Sequence, residues 1–157
     1  MRERAIIAAI RTRGFTLLEL MVALAIAASL LAVAPVAVVR AYETMQYRSA
    51  VKELIAGLKS ARLLAMRKGH SVAFRIDPAA HRFGLDERLE KSLPAELEIR
   101  MMVADIEIDG QRGGVRFYPD GSSTGGSFEV LRPSGGGVRI DVDWLLGRFS
   151  QTIVDGS

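Results

Sequence analysis

The chain has 157 residues, of which 49% are apolar, 25% charged and none cysteine. That length suits one domain with an appendage, and the lack of cysteine excludes disulfides and thiolate metal sites in any compartment. The pI near 9.6 invites a nucleic-acid reading, but the charge is +3 over residues 1–14, +4 over residues 15–69 and −4 over residues 70–157.

Nucleic-acid affinity usually rests on a basic footprint spread over the folded domain, so no nucleic-acid partner is expected. Taking away residues 1–14 leaves a formally neutral chain.

The N-terminal region opens with Arg2, Arg4, Arg11 and Arg13 and then turns apolar at Phe15, with no charge from Leu20 to Val39. Twenty such residues make a helix of about 30 Å, enough to cross a bilayer. The arginines before it predict a cytoplasmic N-terminus and an exported C-terminus. An ordinary secretory signal would end in a small-x-small site. Ala32-Val33-Ala34 imitates one, but Pro35 follows and the apolar run continues to Val39, so cleavage there is disfavoured. Pro35 deletes one backbone hydrogen bond and predicts a kink. Two features exceed a generic anchor: the abrupt Arg13-Gly14-Phe15 junction, and Glu19 inside the apolar run. An acidic group there costs a few kcal/mol and normally has a partner or a role.

After Arg40 the pattern becomes amphipathic. Val51, Leu54, Ile55, Leu58, Ala61 and Ala65 form one stripe, with Lys52, Glu53, Lys59, Arg62 and Lys68 on the other faces. Arg67-Lys68-Gly69 predicts the helix end. One helix from Phe15 to Lys68 would be about 80 Å long, apolar all round in its first half and on one side in its second.

From His70 the period becomes two. Strands are predicted around Val72–Ile76, Arg82–Leu85, Leu97–Met101, Val115–Phe117, Phe128–Val130 and Val138–Trp144, with Asp77-Pro78 and the glycine clusters 110–114, 121–126 and 135–137 as turns. Six or seven short strands with close turns predict antiparallel sheet covered on one face by the amphipathic helix.

Chemical readings of this region are poor. The run Gly121-Ser-Ser-Thr-Gly-Gly126 lacks the lysine of a phosphate-binding loop and reads as a turn. Asp120 with Ser122 and Ser123 falls short of the oxygens calcium needs. His70 and His81 have no spaced metal or triad partners. No catalytic residue, cofactor or metal is expected. Trp144 ends an alternating strand and reads as core, with an exposed subunit contact as the alternative. Arg148 reads as a local structural contact or an interface residue.

Two stretches carry a family resemblance. Arg13-Gly-Phe-Thr-Leu-Leu-Glu-Leu-Met-Val22 resembles the class III signal of type IV pilins and type II secretion pseudopilins. The resemblance implies cleavage between Gly14 and Phe15 by the prepilin peptidase and N-methylation of Phe15. It also implies that Glu19 is the assembly glutamate, pairing with the new amine of an adjacent subunit, where two groups costly alone become tolerable together. Phe117-Tyr-Pro-Asp-Gly-Ser-Ser-Thr-Gly-Gly126 and Asp143-Trp-Leu-Leu-Gly-Arg148 look like the C-terminal half of the H-type minor pseudopilin of type II secretion.

What this implies is an α+β, pilin-like fold: a long N-terminal α-helix, transmembrane in its first half, packed on a C-terminal antiparallel β-sheet domain. The expected divisions are a removed leader (1–14), a transmembrane or filament-core helix (15–39), an amphipathic helix (40–69) and a periplasmic β-rich domain (70–157). The implied protein is a non-catalytic minor pseudopilin in the bacterial inner membrane, assembled near the tip of a periplasmic pseudopilus that supports export of folded proteins. Implied partners are other major and minor pseudopilins, the prepilin peptidase, the inner-membrane secretion platform and membrane lipid. The alternative is a type IV pilus minor pilin in pilus assembly or DNA uptake, for which a patch of Arg132, Arg139 and Arg148 would matter. A plain bitopic protein with an extracytoplasmic β domain is the third reading; the Gly14–Phe15 junction and Glu19 speak against it.

Overall fold

The computed structural model describes residues 14–155, and residues 31–37 by backbone only. The basic leader before Gly14 lies outside the described residues, as do the side chains of Ala32-Val33-Ala34 and Pro35. The chain divides into two compact units, Met1–Ala41 and Tyr42–Ser157. One helix, α1 (Leu17–Lys68), provides the first unit and opens the second. Its helical assignment continues through Pro35.

In the first unit, every residue described from Gly14 to Leu30 is exposed, including Phe15 at 72% and Leu17 at 78%. Among the described residues, no helix is long and apolar enough to cross a membrane. The expected span 15–39 includes the seven residues whose side chains lie outside that description.

In the second unit, the predicted apolar stripe is the buried face of the helix. Leu54, Leu58, Ala61 and Ala65 are at most 1% exposed, Ala50 and Val51 are nearly as buried, and Ile55 packs against the same cluster. The helix ends where the cations and glycine predict, and the Gly69 N–H donates to Ala65 O at 3.1 Å.

Eight strands follow, in two four-stranded antiparallel sheets. The first contains β1 (Val72–Asp77), β2 (Arg82–Leu85), β3 (Arg88–Ser92) and β5 (Gly113–Phe117), in the order β3-β2-β1-β5. The second contains β4 (Glu98–Val103), β6 (Gly126–Leu131), β7 (Gly137–Val142) and β8 (Phe149–Val154), in the order β4-β6-β7-β8.

Strands β3 and β8 are additional to the sequence prediction. Both are edge strands with mostly exposed side chains, so neither carries the alternation that marks a half-buried strand. The glycines at 113 and 114 are strand residues, where the sequence predicts a turn. A Cβ on Gly114 would stand 2.1 Å from Phe74 O of β1 and one on Gly113 2.7 Å from Met101 Sδ of β4, so the lack of side chains lets β5 close on β1 and lie against the second sheet.

The core joins both sheets to the helix. Phe74 of β1 lies 5.8 Å from Phe83 and 5.9 Å from Phe128 of β6, and Phe117 lies 6.0 Å from Phe149, between ring centroids. In the second sheet the rows facing the core are Ile99-Val130-Val138, Met101-Phe128-Ile140 and Val103-Gly126-Val142-Phe149, while their β8 continuations Ile153 and Gln151 are exposed at the sheet edge. Among the described residues, two acids are buried, Asp77 at the end of β1 and, more deeply, Glu107. Glu107, in the short 3-10 helix Asp105–Glu107, is 2% exposed and accepts two bonds from Arg116, at 2.7 and 3.1 Å. Arg75 lies 3.8 Å from the same carboxylate. The hydrogen bond to Glu107 holds the Arg116 guanidinium above its ordinary pKa, against the opposing effect of burial.

Candidate functional site

The segment expected to be processed and the paired C-terminal motifs are the two regions for which the sequence raises a functional expectation. At the first, Thr16 caps α1: its Oγ1 accepts the Glu19 N–H at 3.2 Å, and its carbonyl accepts the Leu20 N–H at 3.1 Å. Thr16-Leu-Leu-Glu19 is therefore placed as a capping-box sequence, Thr at the cap and Glu three residues on. That signal is present in the sequence and the reading of Glu19 as an assembly residue passes over it. Glu19 stands in the first turn, where the positive end of the helix dipole favours an acid. Gly14 and Phe15 lie directly before the cap, exposed and outside the helix.

The second region is assembled from three distant pieces of sequence. The loop after β5 turns at Tyr118–Gly121, with the Gly121 N–H donating to Tyr118 O at 2.9 Å. Asp120 accepts from Ser122 N at 2.9 Å and from Ser122 Oγ at 2.6 Å. These bonds, the side-chain one first, hold its carboxyl below the usual carboxylate range. Its oxygen is thus committed to a local turn. The next residue, Ser123, ties this loop to the one after β7: its N–H donates to Trp144 O at 2.8 Å and its hydroxyl to Asp143 O at 2.9 Å.

The loop after β7 is equally fixed. The Asp143 carboxylate accepts the Leu146 N–H at 2.6 Å, the Gly147 N–H donates to Asp143 O at 2.9 Å, and Asp143 N–H to Arg148 O at 2.9 Å. Gly147 has φ +55, and a Cβ there would stand 2.4 Å from Gly121 O and 2.9 Å from Arg62 Nε, so both backbone angle and space call for glycine.

Arg62 of α1 clamps the two loops, donating from Nε to Gly121 O at 3.1 Å and from Nη2 to Leu146 O at 3.1 Å. The helical pattern places Arg62 with the solvated cations; it is instead half-buried and bonded to both motifs. No periodicity reveals a contact across 59 and 84 residues of sequence.

The clamped turn presents its apolar side chains outward. Trp144 is 65% exposed, Leu145 57% and Leu146 47%. The reading of Trp144 as core is corrected: β7 stops at Val142, and the Asp143-centred turn carries the indole away from the inward row. The structure also separates the three C-terminal arginines by partner. Arg139 is paired with Glu129 at 2.9 Å, Arg132 stands 5.0 Å from the Tyr47 ring centroid, and Arg148 is exposed, joined to the turn through its carbonyl. Burial raises the Tyr47 phenol above its ordinary pKa, and the Arg132 charge offsets part of that rise. His70 Nδ1 sits 3.1 Å from Ser71 O, while His81 lies in the β1–β2 turn with φ +49. Among the described residues, no three His, Cys, Asp or Glu are grouped to hold a metal ion.

Comparisons with known proteins fit both regions. Residues 10–35 match the family described as the prokaryotic N-terminal methylation motif, and residues 50–146, more than half of the chain, match type II transport protein GspH. A type II secretion system protein H of Xanthomonas campestris pv. campestris is 33% identical over 136 residues, covering 86% of this chain and 80% of the relative. Among solved structures, the minor pseudopilin EpsH of the Vibrio cholerae type 2 secretion system aligns with a TM-score of 0.54 at 13% identity, covering 68% of this chain and 96% of EpsH. The type IV minor pilin FimU of Pseudomonas aeruginosa gives the same TM-score at 14% identity, covering 73% of this chain and 96% of FimU. These two likenesses show the pilin-like α+β fold, a long N-terminal helix packed on antiparallel sheet. With the match over residues 50–146 and the relative at 33% identity, this chain belongs to the type II transport protein GspH family of pseudopilins.

Proposed function

We propose that the chain is a minor pseudopilin of a type II secretion system, cut between Gly14 and Phe15 and N-methylated at Phe15. It is held in the inner membrane by the apolar helix, with the β-sheet unit in the periplasm, and joins the pseudopilus near its tip. It supports export of folded proteins, catalyses no step, and is itself a substrate of the prepilin peptidase. Its partners are the other pseudopilins, that peptidase, the inner-membrane secretion platform and lipid. The observation that carries this reading is the succession in one chain of a methylation motif at residues 10–35 and a GspH match at residues 50–146. Glu19 supplies the carboxylate that pairs with the Phe15 amine of the adjacent subunit and sets axial register, on top of its place in the first turn.

The type IV pilus reading shares the fold, since FimU and EpsH give the same TM-score. Against its DNA-uptake form stand the −4 charge of residues 70–157 and the engagement of Arg132 and Arg139 with Tyr47 and Glu129. A deletion strain scored in parallel for exoprotein release and for twitching or DNA uptake tests the proposal. Loss of release with normal motility and uptake supports it; the opposite pattern moves the chain to a pilus.

A further inference from the structure

The outer face of the second sheet carries a trough that the function above does not explain. Its floor is one cross-strand row, Met102-Ser127-Asp141-Ser150, with one residue from each strand. At about 4.8 Å per strand the row is about 14 Å long, which matches roughly nine residues of a helix at 1.5 Å each. Met102, 71% exposed, stands on one side and Trp144, 65% exposed, on the other.

Its charge is one-sided. Asp141 and Asp143 line the trough and, among the described residues, no lysine or arginine does. The nearest row on the same face, Arg100-Glu129-Arg139-Thr152, adds no free cation, because Arg139 is held by Glu129 and Arg100 by Glu98 at 2.7 Å. Asp143 is half-committed to Leu146 N–H, whereas the Asp141 carboxylate, on a residue whose backbone is paired in the β7 ladder, has no hydrogen bond or ion pair among the described residues.

We propose that this trough, with the Trp144-Leu145-Leu146 turn at its rim, docks the cationic face of the helix of a neighbouring subunit of the same architecture. The inference rests on the pseudopilin reading and deepens it by naming the surface and the chemistry it takes. Charge complementarity identifies the occupant. Residues 40–69 of this chain carry seven Lys and Arg against two Glu, and Lys52, Lys59, Arg67 and Lys68 on them are exposed. A lysine or arginine from such a face lays its aliphatic stem and charge against the indole and reaches Asp141 with its head. Three exposed apolar side chains in a row mark an interaction surface. The clamp of Arg62, Ser123 and Asp143 fixes their turn beforehand and lowers the ordering cost of docking. A contact between two different surfaces of like subunits is head-to-tail, and where its rotation does not close into a ring it propagates, as a filament requires.

The absence of cysteine supplies the test. Ser150→Cys in the full chain puts its single thiol on the exposed trough floor. Cells expressing the complete secretion apparatus are labelled there with a benzophenone maleimide, irradiated, and the adduct mapped by mass spectrometry. The expected adduct lies on a Lys- or Arg-bearing helix of another pilin-like subunit. Asp141→Lys and, separately, Trp144→Ala each lower its yield about tenfold; both replaced side chains point outward, so neither change disturbs the core. An adduct on a β domain, on a secreted protein or on lipid overturns the proposal. So does no adduct, or one indifferent to both substitutions. Exoprotein release is measured in the same cells and in the deletion strain. Release without the chain refutes the pseudopilin reading itself; dependence on the chain with a misplaced adduct refutes only the docking site.

Discussion

Replacing Arg62 by methionine keeps an apolar stem along the helix and removes the guanidinium that holds Gly121 O and Leu146 O, each at 3.1 Å. Hydrogen bonds from a charged donor contribute about 1.5–3 kcal/mol each when desolvated. Arg62 is only half-buried, and carbonyls released into solvent regain water, so about half of that applies and the pair contributes roughly 2 kcal/mol. The loss is local first, because the clamped loops lie outside the strands. Opening free energies that fall by about 2 kcal/mol speed amide exchange about 30-fold where opening limits it.

The amides to follow are Ser123 N–H and Gly147 N–H, bonded to Trp144 O and Asp143 O. Hydrogen exchange on the processed chain in detergent should show both accelerated about 30-fold in Arg62→Met, with Phe74 and Val115 in the β1–β5 ladder nearly unchanged. Arg62→Lys recovers only part of the protection, since a single ammonium does not reproduce the guanidinium's fork of donors. Ser123 and Gly147 exchanging within about twofold of wild type in Arg62→Met would refute the clamp.

Three further outcomes follow from other groups. Glu107→Gln leaves Arg75 and Arg116 facing a neutral amide at a site 2% exposed; both arginines retain some solvent, so the cost is about 2–3 kcal/mol, read as a lower midpoint in urea with an unchanged slope. The Asp77 carboxyl is held below its ordinary 3.8 by the Ala80 N–H first and by Arg112 as well. A depressed folded pKa adds stability above the unfolded value, lost as pH falls from about 3.8 through the folded pKa; melting curves from pH 6 to 2 should show Asp77→Asn less stable at pH 6, with the gap closing toward pH 2. At the N-terminus, Glu19→Gln keeps the capping-box pattern of Thr16 while removing the charge. It should therefore be cleaved and inserted normally yet fail to enter filaments, as Glu19→Ala also should; filaments of normal Glu19→Gln content would exclude charge pairing as its role.

What could be read from the sequence depended on whether a signal was periodic. The stripe Val51-Leu54-Leu58-Ala61-Ala65 and the strands at Val72, Arg82 and Val138 repeat at 3.6 or 2 residues, and the structure buries those helical positions and places those strands. Strands β3 and β8 lack alternation because most of their side chains are exposed on both faces, unlike β5, which is also an edge strand but is buried. Glu107 gave no warning, since a buried acid among Asp and Glu neighbours is marked only by arginines that reach it from β1 and β5. The alternation of Val138–Val142 runs on to Trp144 in the sequence, whereas the chain leaves the strand at Val142 and turns at Asp143.

The two C-terminal motifs were recognised as words without a reason for their letters, and the clamp supplies one. Gly121 and Gly147 bring two loops within reach of one another, Ser123 and Asp143 bond them together, and Arg62 ties both to the helix. None of these groups is arranged to move a proton or hold a ligand. Their common result is to hold the Trp144-Leu145-Leu146 turn rigid and outward, at a cost in exposed apolar area that a monomer gains nothing from. A chain that acts by being assembled has use for such a surface, and the same demand explains why its polar bonding is spent on the backbone of a turn.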